Sequence, residues 1–330
     1  MNDVEALLTN RNLFGEKIVE SVALPKELIE EALAGCFVGI TTDQLVAMLY
    51  SPFQAIVDFA SLCRGDKTGQ KISLLFNPHR LETKTITSES VMCALQRKDF
   101  CKGLARAVSW REGANPRDLL YHVLQIGING IQYVNEFPPA LARDIYTSYN
   151  ASRILDPCAG WGGRMIGAAA VGAYYHAFEP STQTYGGLLK LGKWLEHFNT
   201  GFSYKIENKP FEEARLEHCY DIALTSPPYF DTEKYADEST QASIRYSSYC
   251  DFEDNFLMPM IDRASNVSAN GIVLNVGSRR YPMENTVFKF GHRVRQFNKF
   301  RLQRDGGLRA KKNSGESFWW ILGKYTDEKR

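Results

Sequence analysis

The stretch Tyr220 to Leu224 is largely apolar and stops at Thr225-Ser226-Pro227-Pro228-Tyr229-Phe230. An apolar run of that length reads as a buried strand, and consecutive prolines cannot continue one, because each fixes φ and removes a ladder donor. The chain must therefore leave its sheet here, at the carboxyl edge where open α/β folds keep their ligands. With no N–H at either proline, the carbonyls around Ser226 and Pro227 stay free to accept from a ligand, and an aromatic ring follows at once. Such a corner suits a planar base with an exocyclic amine: Ser226 Oγ and the Pro227 carbonyl accept from the –NH2 while Tyr229 stacks on the ring. A stiff loop without a ligand is the plainer alternative, and Pro138-Pro139 repeats the dipeptide.

About seventy residues upstream stands Asp156-Pro157-Cys158-Ala159-Gly160-Trp161-Gly162-Gly163-Arg164, after the strand-like Arg153-Ile154-Leu155. Its glycines let the backbone approach a ligand closely, but neither the dinucleotide fingerprint nor the phosphate-loop lysine is present. A carboxylate at the tip would repel phosphate and attract an ammonium, so a cationic cofactor is expected at Asp156. The next strand, Tyr174 to Phe178, ends in Glu179, placed to accept from ribose hydroxyls.

Together the two segments resemble motifs I and IV of the S-adenosylmethionine-dependent DNA amino-methyltransferases, and the Ser-Pro-Pro-Tyr form is most similar to the N4-cytosine branch. The resemblance runs from about Gln132 to Lys324. It implies a Rossmann-like class I methyltransferase sheet: α/β, mostly parallel, doubly wound, with an antiparallel last strand at Ser317–Leu322 on its edge. It implies S-adenosyl-L-methionine as cofactor, held by Phe137 and Pro138 (motif X), Asp156, Ala159, Gly160, Gly162, Gly163, Glu179 and Phe211. Ser226, Pro227, Pro228 and Tyr229 are the implied catalytic set. The reaction implied is methyl transfer to a base flipped from duplex DNA, first cytosine N4, in a restriction-modification setting. Adenine N6, an RNA substrate, and a binding module without turnover remain open.

Composition narrows the partners. Formal net charge is +1, which gives no global field to attract a polyanion, so a nucleic-acid footprint must be local. It falls between Ser278 and Lys312, where eleven Lys or Arg face two acids among aromatic residues. The expected phosphate contacts are Arg279, Arg280, Arg293, Arg295, Arg301, Arg304, Arg309, Lys311 and Lys312. Seven cysteines lack any C-x-x-C pair, so no metal site and no disulfide framework is indicated, and an intracellular, cytoplasmic protein is expected. No apolar stretch approaches a membrane span.

Before about residue 115 the pattern is mainly helical, with helices read at 25–33, 41–49, 53–62 and 88–108 and a strand-like run at 72–76. This region, 1–115, is expected to be separate, either a packing subdomain or a substrate reader, and 116–330 to form the methyltransferase domain. Residues 231–247 carry no periodicity and read as a mobile substrate loop.

Overall fold

The structure, a computed structural model, describes residues 37–85, 88–97, 134, 136–216, 220–276, 280–291, 297–302 and 317–322, the last two ranges as strand backbone. The chain divides into two compact units, one of residues 1–54 and 78–135, the other of 55–77 and 136–330. The division thus falls on either side of an inserted segment, and residues near 115 lie outside those described.

In the first unit, helix α1 (Thr42–Leu49) starts on a full capping box, Thr41 Oγ1 accepting from Gln44 N while Gln44 Oε1 accepts from Thr41 N. Its apolar face buries Leu45, Val46 and Leu49. Helix α2 (Pro52–Cys63) straddles the division. Of the helix expected at 88–108, the described residues hold a single turn and a half, α3 (Val91–Leu95), capped by Ser90 and ended at Gln96; residues 98–108 lie outside those described, as do 25–33.

The second unit is organised by a seven-stranded sheet. Its strands are β1 (Arg153–Asp156), β2 (Tyr174–Phe178), β3 (Ser203–Glu207), β4 (Ile222–Thr225), β5 (Ile272–Val276), β6 (Phe297–Leu302) and β7 (Ser317–Leu322), in the order β3-β2-β1-β4-β5-β7-β6. The first five are parallel, and β7 runs antiparallel to both β5 and β6. This is a doubly wound, Rossmann-like, mostly parallel α/β sheet. Two corrections follow. The last strand is internal, because β6, in the basic stretch read as a nucleic-acid surface, forms the edge. The run at 72–76 holds a 3-10 turn (Ile72–Leu75) and pairs with no strand among the described residues; a five-residue segment has too little length for period alone to decide.

Strand order reverses between β1 and β4, which pair through Ile154–Ile222 and Leu155–Ala223. That junction is the switch point where such sheets bind ligands. Both ends of the pair are stapled. At the amino end Asp221, the one charge in the β4 run, accepts from Ser152 N (2.7 Å), Ser152 Oγ (2.9 Å) and Arg153 N (2.8 Å). At the carboxyl end Thr225 Oγ1 donates to Asp156 Oδ1 at 2.8 Å. The strands are buried on both faces, and Ile154, Leu155, Ile222, Ala223 and Leu224 are wholly enclosed, as parallel sheets covered by helices require.

Three helices matter for the site: α4 (Pro139–Ser148), α5 (Gly163–Ala170) and α6 (Thr182–Phe198). Helices α4 and α5 pack almost backbone to backbone. A Cβ on Gly163 would lie 2.1 Å from the Phe137 carbonyl, and one on Gly167 would lie 2.6 Å from Ala142 Cβ and 2.7 Å from the Pro139 carbonyl. The inserted segment joins this unit through Arg143, which donates to the Leu62 and Asp66 carbonyls, and through Trp194, whose ring meets Phe59 and Phe76. The helix read from Tyr249 is continuous through α7 (Met258–Asn266) but widens to a π-turn at Glu253–Leu257. Pro259 explains it, since its ring would clash with the carbonyl four residues back in a regular helix.

Candidate active site

Asp156 is the centre of the carboxyl edge and has no exposed surface. Its Oδ2 accepts from Arg164 Nε at 2.7 Å and from the Tyr175 hydroxyl; its Oδ1 accepts from Thr225 Oγ1 and, at 3.1 Å, from Cys158 N. Burial alone would lower the Arg164 pKa, but Asp156, then Tyr175, raise it, so the guanidinium stays charged. The expectation that Asp156 offers its charge to an ammonium is corrected here: the carboxylate is neutralised inside the protein and serves as an anchor. Arg164 extends that anchor. It also donates to the Cys158 carbonyl and stands over the Phe137 ring at 5.2 Å, so one side chain holds the glycine turn and motif X together.

The glycine turn follows from those constraints. Gly160 (φ 57°) and Gly162 (φ 103°) occupy the left-handed region that disfavours side chains. A Cβ on Gly162 would come within 2.6 Å of Leu191, whereas one on Gly160 would meet nothing nearer than 3.9 Å, so the turn is closed towards α6 and open at Gly160. Ala159 N donates to the Phe178 carbonyl at 2.9 Å, carrying the pairing with β2 past the end of β1. Trp161 is fixed by its carbonyl, which accepts from Asn77 Nδ2 at 3.1 Å.

Glu179 stands opposite that opening. Its Oε2 accepts from Gly160 N (3.0 Å) and its Oε1 from Ser181 N (2.9 Å), leaving a further lone pair on each oxygen. Burial pushes its pKa up to about 8; the two N–H donors pull the other way, while Asp156 and Glu238 add to the rise. Phe211, one of the residues expected to hold the cofactor, is instead a core ring, 1% exposed, edge-on to Phe178 at 5.2 Å and covered by Arg263 at 5.2 Å. Phe137 is buried, and Pro138 caps α4.

The proline corner leaves β4 beside this turn. Ser226 Oγ donates to the Asn275 carbonyl at 3.3 Å, Pro227 is buried, and Pro228 and Tyr229 are half-buried. Phe230 adopts φ 55°, a left-handed conformation costly for a bulky residue, and is held there by Tyr249, Phe252 and Tyr281 around its ring.

Of the expected phosphate contacts, Arg280 is described: it is exposed, lies over the Tyr281 ring at 5.3 Å and is 3.7 Å from Asp231. Arg301 lies on β6 with its side chain outside the described residues, and Arg279, Arg293, Arg295, Arg304, Arg309, Lys311 and Lys312 lie outside them altogether. Phe290, one of the aromatic residues of that stretch, is buried. Among the described residues no His, Cys, Asp and Glu cluster could hold a metal, and no single helix is long and apolar enough to cross a membrane.

Four residues were given no role from sequence: Thr225 and Arg164, which stand inside the two motif stretches, and Tyr175 and Asn77, which stand outside them. Arg164 carried a signal, a charge set directly before Met165 and Ile166 in a glycine-opened helix.

Neither a family model nor a curated protein matches the chain. Among solved structures, the hMettl16 catalytic domain in complex with MAT2A 3′UTR hairpin 6 is similar over 64% of this chain and 82% of that one, at 10% identity and a TM-score of 0.42. Magnesium protoporphyrin IX methyltransferase from Synechocystis PCC 6803 with bound SAM is similar over 56% and 79%, at 11% identity and a TM-score of 0.38. An rRNA methylase from Streptococcus thermophilus is similar over 57% and 98%, at 13% identity and a TM-score of 0.35.

Proposed function

We propose that the chain is an S-adenosylmethionine-dependent methyltransferase acting on an exocyclic amine in nucleic acid, with cytosine N4 in DNA as the first substrate. One observation carries this reading: the hydrogen bond from Thr225 to Asp156 ties the proline corner to the glycine turn at the switch point of the sheet. A stiff surface loop would need no such tie.

The residues fit the cofactor. Gly160 is open where a Cβ would stand, and Glu179 beside it keeps acceptor capacity for two ribose hydroxyls. S-adenosylmethionine, when bound, supplies a methyl group activated by its sulfonium. The chain's own part is to orient the acceptor. Because the Ser226 hydroxyl gives its hydrogen to Asn275, its oxygen is left as an acceptor, and the Pro227 carbonyl is another. Two acceptors select an amine over a ring carbonyl. Tyr229 stacks on the base, which leaves its duplex at a cost of a few kcal/mol in lost stacking. Cys158 is no nucleophile for ring-carbon methylation, since burial and then Asp156 push its thiol well up.

We assign phosphate contact to the basic residues of 278–312 and substrate reading to the N-terminal region. If six basic side chains meet phosphates, the logarithm of affinity falls with that of salt at a slope of about five.

The test is methyl transfer from radiolabelled S-adenosylmethionine to separate DNA and RNA, with the product nucleoside identified by mass spectrometry. N4-methylcytosine in DNA is expected. Methylated adenine, or label in RNA alone, moves the substrate; binding of cofactor and DNA without label removes the enzymatic reading. Ser226→Ala with Tyr229→Ala abolishes turnover and leaves cofactor affinity nearly intact.

A further inference from the structure

Of residues 231–247, expected to be a mobile loop, 231–246 are fastened through six side chains. Directly after the proline corner, Asp231 Oδ1 accepts from the Tyr281 hydroxyl at 2.7 Å. Tyr235 sets its ring edge-on to Trp161 of the glycine turn, centroids 5.8 Å apart. Glu238 accepts from Thr182 N (3.0 and 3.2 Å) and Thr182 Oγ1 (2.8 Å) at the start of α6. Thr240 Oγ1 donates to the Pro180 carbonyl at 3.2 Å. At the far end Tyr246 donates to Glu212, and Arg245 pairs with Glu213 at 2.9 Å.

These anchor points follow a pattern. Trp161, Pro180 with Thr182, and Glu212 with Glu213 lie just beyond the carboxyl ends of β1, β2 and β3, the three turns that bound the cofactor position proposed above. A segment starting at the proline corner and touching all three in turn crosses that position. Its middle fastenings, Glu238 and Thr240, are hydrogen bonds made by partly exposed side chains, which water can replace at little cost, whereas the segment is flanked at its start by the buried Phe230 ring and ends on the buried Tyr246 ring. The middle is therefore the part that opens.

We propose that residues 231–246 form a strap across the cofactor site, and that Glu238 and Thr240 are positioning residues whose release sets the rate at which S-adenosylmethionine and its demethylated product leave. The proposal rests on the cofactor reading above. It makes the strap a link between cofactor and substrate, because the same segment leaves the base-binding corner at Asp231.

Stopped-flow dissociation of S-adenosylhomocysteine, displaced by excess S-adenosylmethionine, tests it on the full chain. Glu238→Ala and Thr240→Val are expected to raise the dissociation rate about tenfold, and together more, at an unchanged melting temperature in the absence of cofactor. Glu238→Gln keeps an acceptor oxygen for Thr182 and returns the rate towards wild type. Wild-type binding with dissociation unchanged in both variants overturns the strap and leaves the cofactor reading standing. A wild-type protein that binds neither compound overturns the cofactor reading and the strap with it.

Discussion

Thr225 and Asp156 are 69 positions apart in the chain, yet the threonine hydroxyl donates to the aspartate at 2.8 Å in a fully buried contact. The bond fixes the last residue of β4 against the last residue of β1, and Ser226 follows directly. Thr225→Val keeps the side-chain shape and removes the donor. It is expected to cost about 1–3 kcal/mol in urea unfolding. Turnover falls further than stability, because the corner that presents Ser226 is no longer held to the glycine turn.

The partner on the other side of Asp156 is worth more. Arg164→Leu leaves a buried carboxylate without its counter-charge, at a cost of about 3–5 kcal/mol. Asp156→Asn alone strands the guanidinium instead. The double variant is expected to lose clearly less than the sum of the two single losses, which a double-mutant cycle by denaturant unfolding measures. Additive losses would mean that Asp156 and Arg164 do not act as a pair.

Gly167 offers a test in which the sign decides. In a free helix, Gly→Ala gains about 1 kcal/mol from propensity. Here the new Cβ would lie 2.6 Å from Ala142 Cβ and 2.9 Å from Arg143 N, and α4 must move. Gly167→Ala is expected to destabilise by about 1–3 kcal/mol, the usual range for overpacking. A gain in melting temperature would show that α4 and α5 are not in close contact.

What could be read from the chain alone was local. Strands β1, β2 and β5 are short apolar runs bounded by glycine, proline or acid, and such punctuation gives both their type and their limits. The proline corner and glycine turn could be seen because backbone chemistry forces their residue types. Strand β6 was hidden, because Lys299 and Arg301 give it the charged character of an edge strand, which by composition is a polar surface. The role of Asp156 was misjudged for a different reason. Whether a carboxylate faces a ligand or an arginine depends on Arg164, Tyr175 and Thr225 converging from three elements, and no spacing rule carries that. Phe230 could not be foreseen either, since nothing about phenylalanine announces a left-handed φ.

Tyr146 supplies a prediction independent of function. Its hydroxyl is wholly buried and has no hydrogen-bond partner among the described residues, and burial, with Asp156 adding, raises its pKa well above the usual range. An unpaired buried hydroxyl costs about 1–3 kcal/mol. Tyr146→Phe removes it without breaking a bond, so the variant is expected to unfold at higher urea than wild type. A loss of stability would mean that the hydroxyl is satisfied.

Glu179 should give stability an inverted pH dependence over part of the range. Its folded pKa stands near 8, against an ordinary 4.5, because burial disfavours the charge and Asp156 and Glu238 add repulsion, more than the Gly160 and Ser181 amides offset. Between those values the folded protein holds a proton that the unfolded chain has released. Stability from this group therefore falls as pH rises from 4.5 to 8, by at most about 1.4 kcal/mol per pH unit. Below 4.5 both states are protonated, and above 8 both are ionised, so the contribution is flat on either side. Glu179→Gln cannot titrate. The stability of wild type relative to this variant is expected to decline between pH 5 and 8 and level off beyond, as read by urea unfolding at fixed ionic strength. Ribose hydroxyls donate better to the ionised carboxylate, so on the cofactor reading wild-type affinity for S-adenosylhomocysteine rises over the same window while the variant's stays level. A wild-type-minus-variant difference that does not change from pH 5 to 9 would mean that Glu179 is already ionised in the folded protein, and that the two backbone amides outweigh its burial.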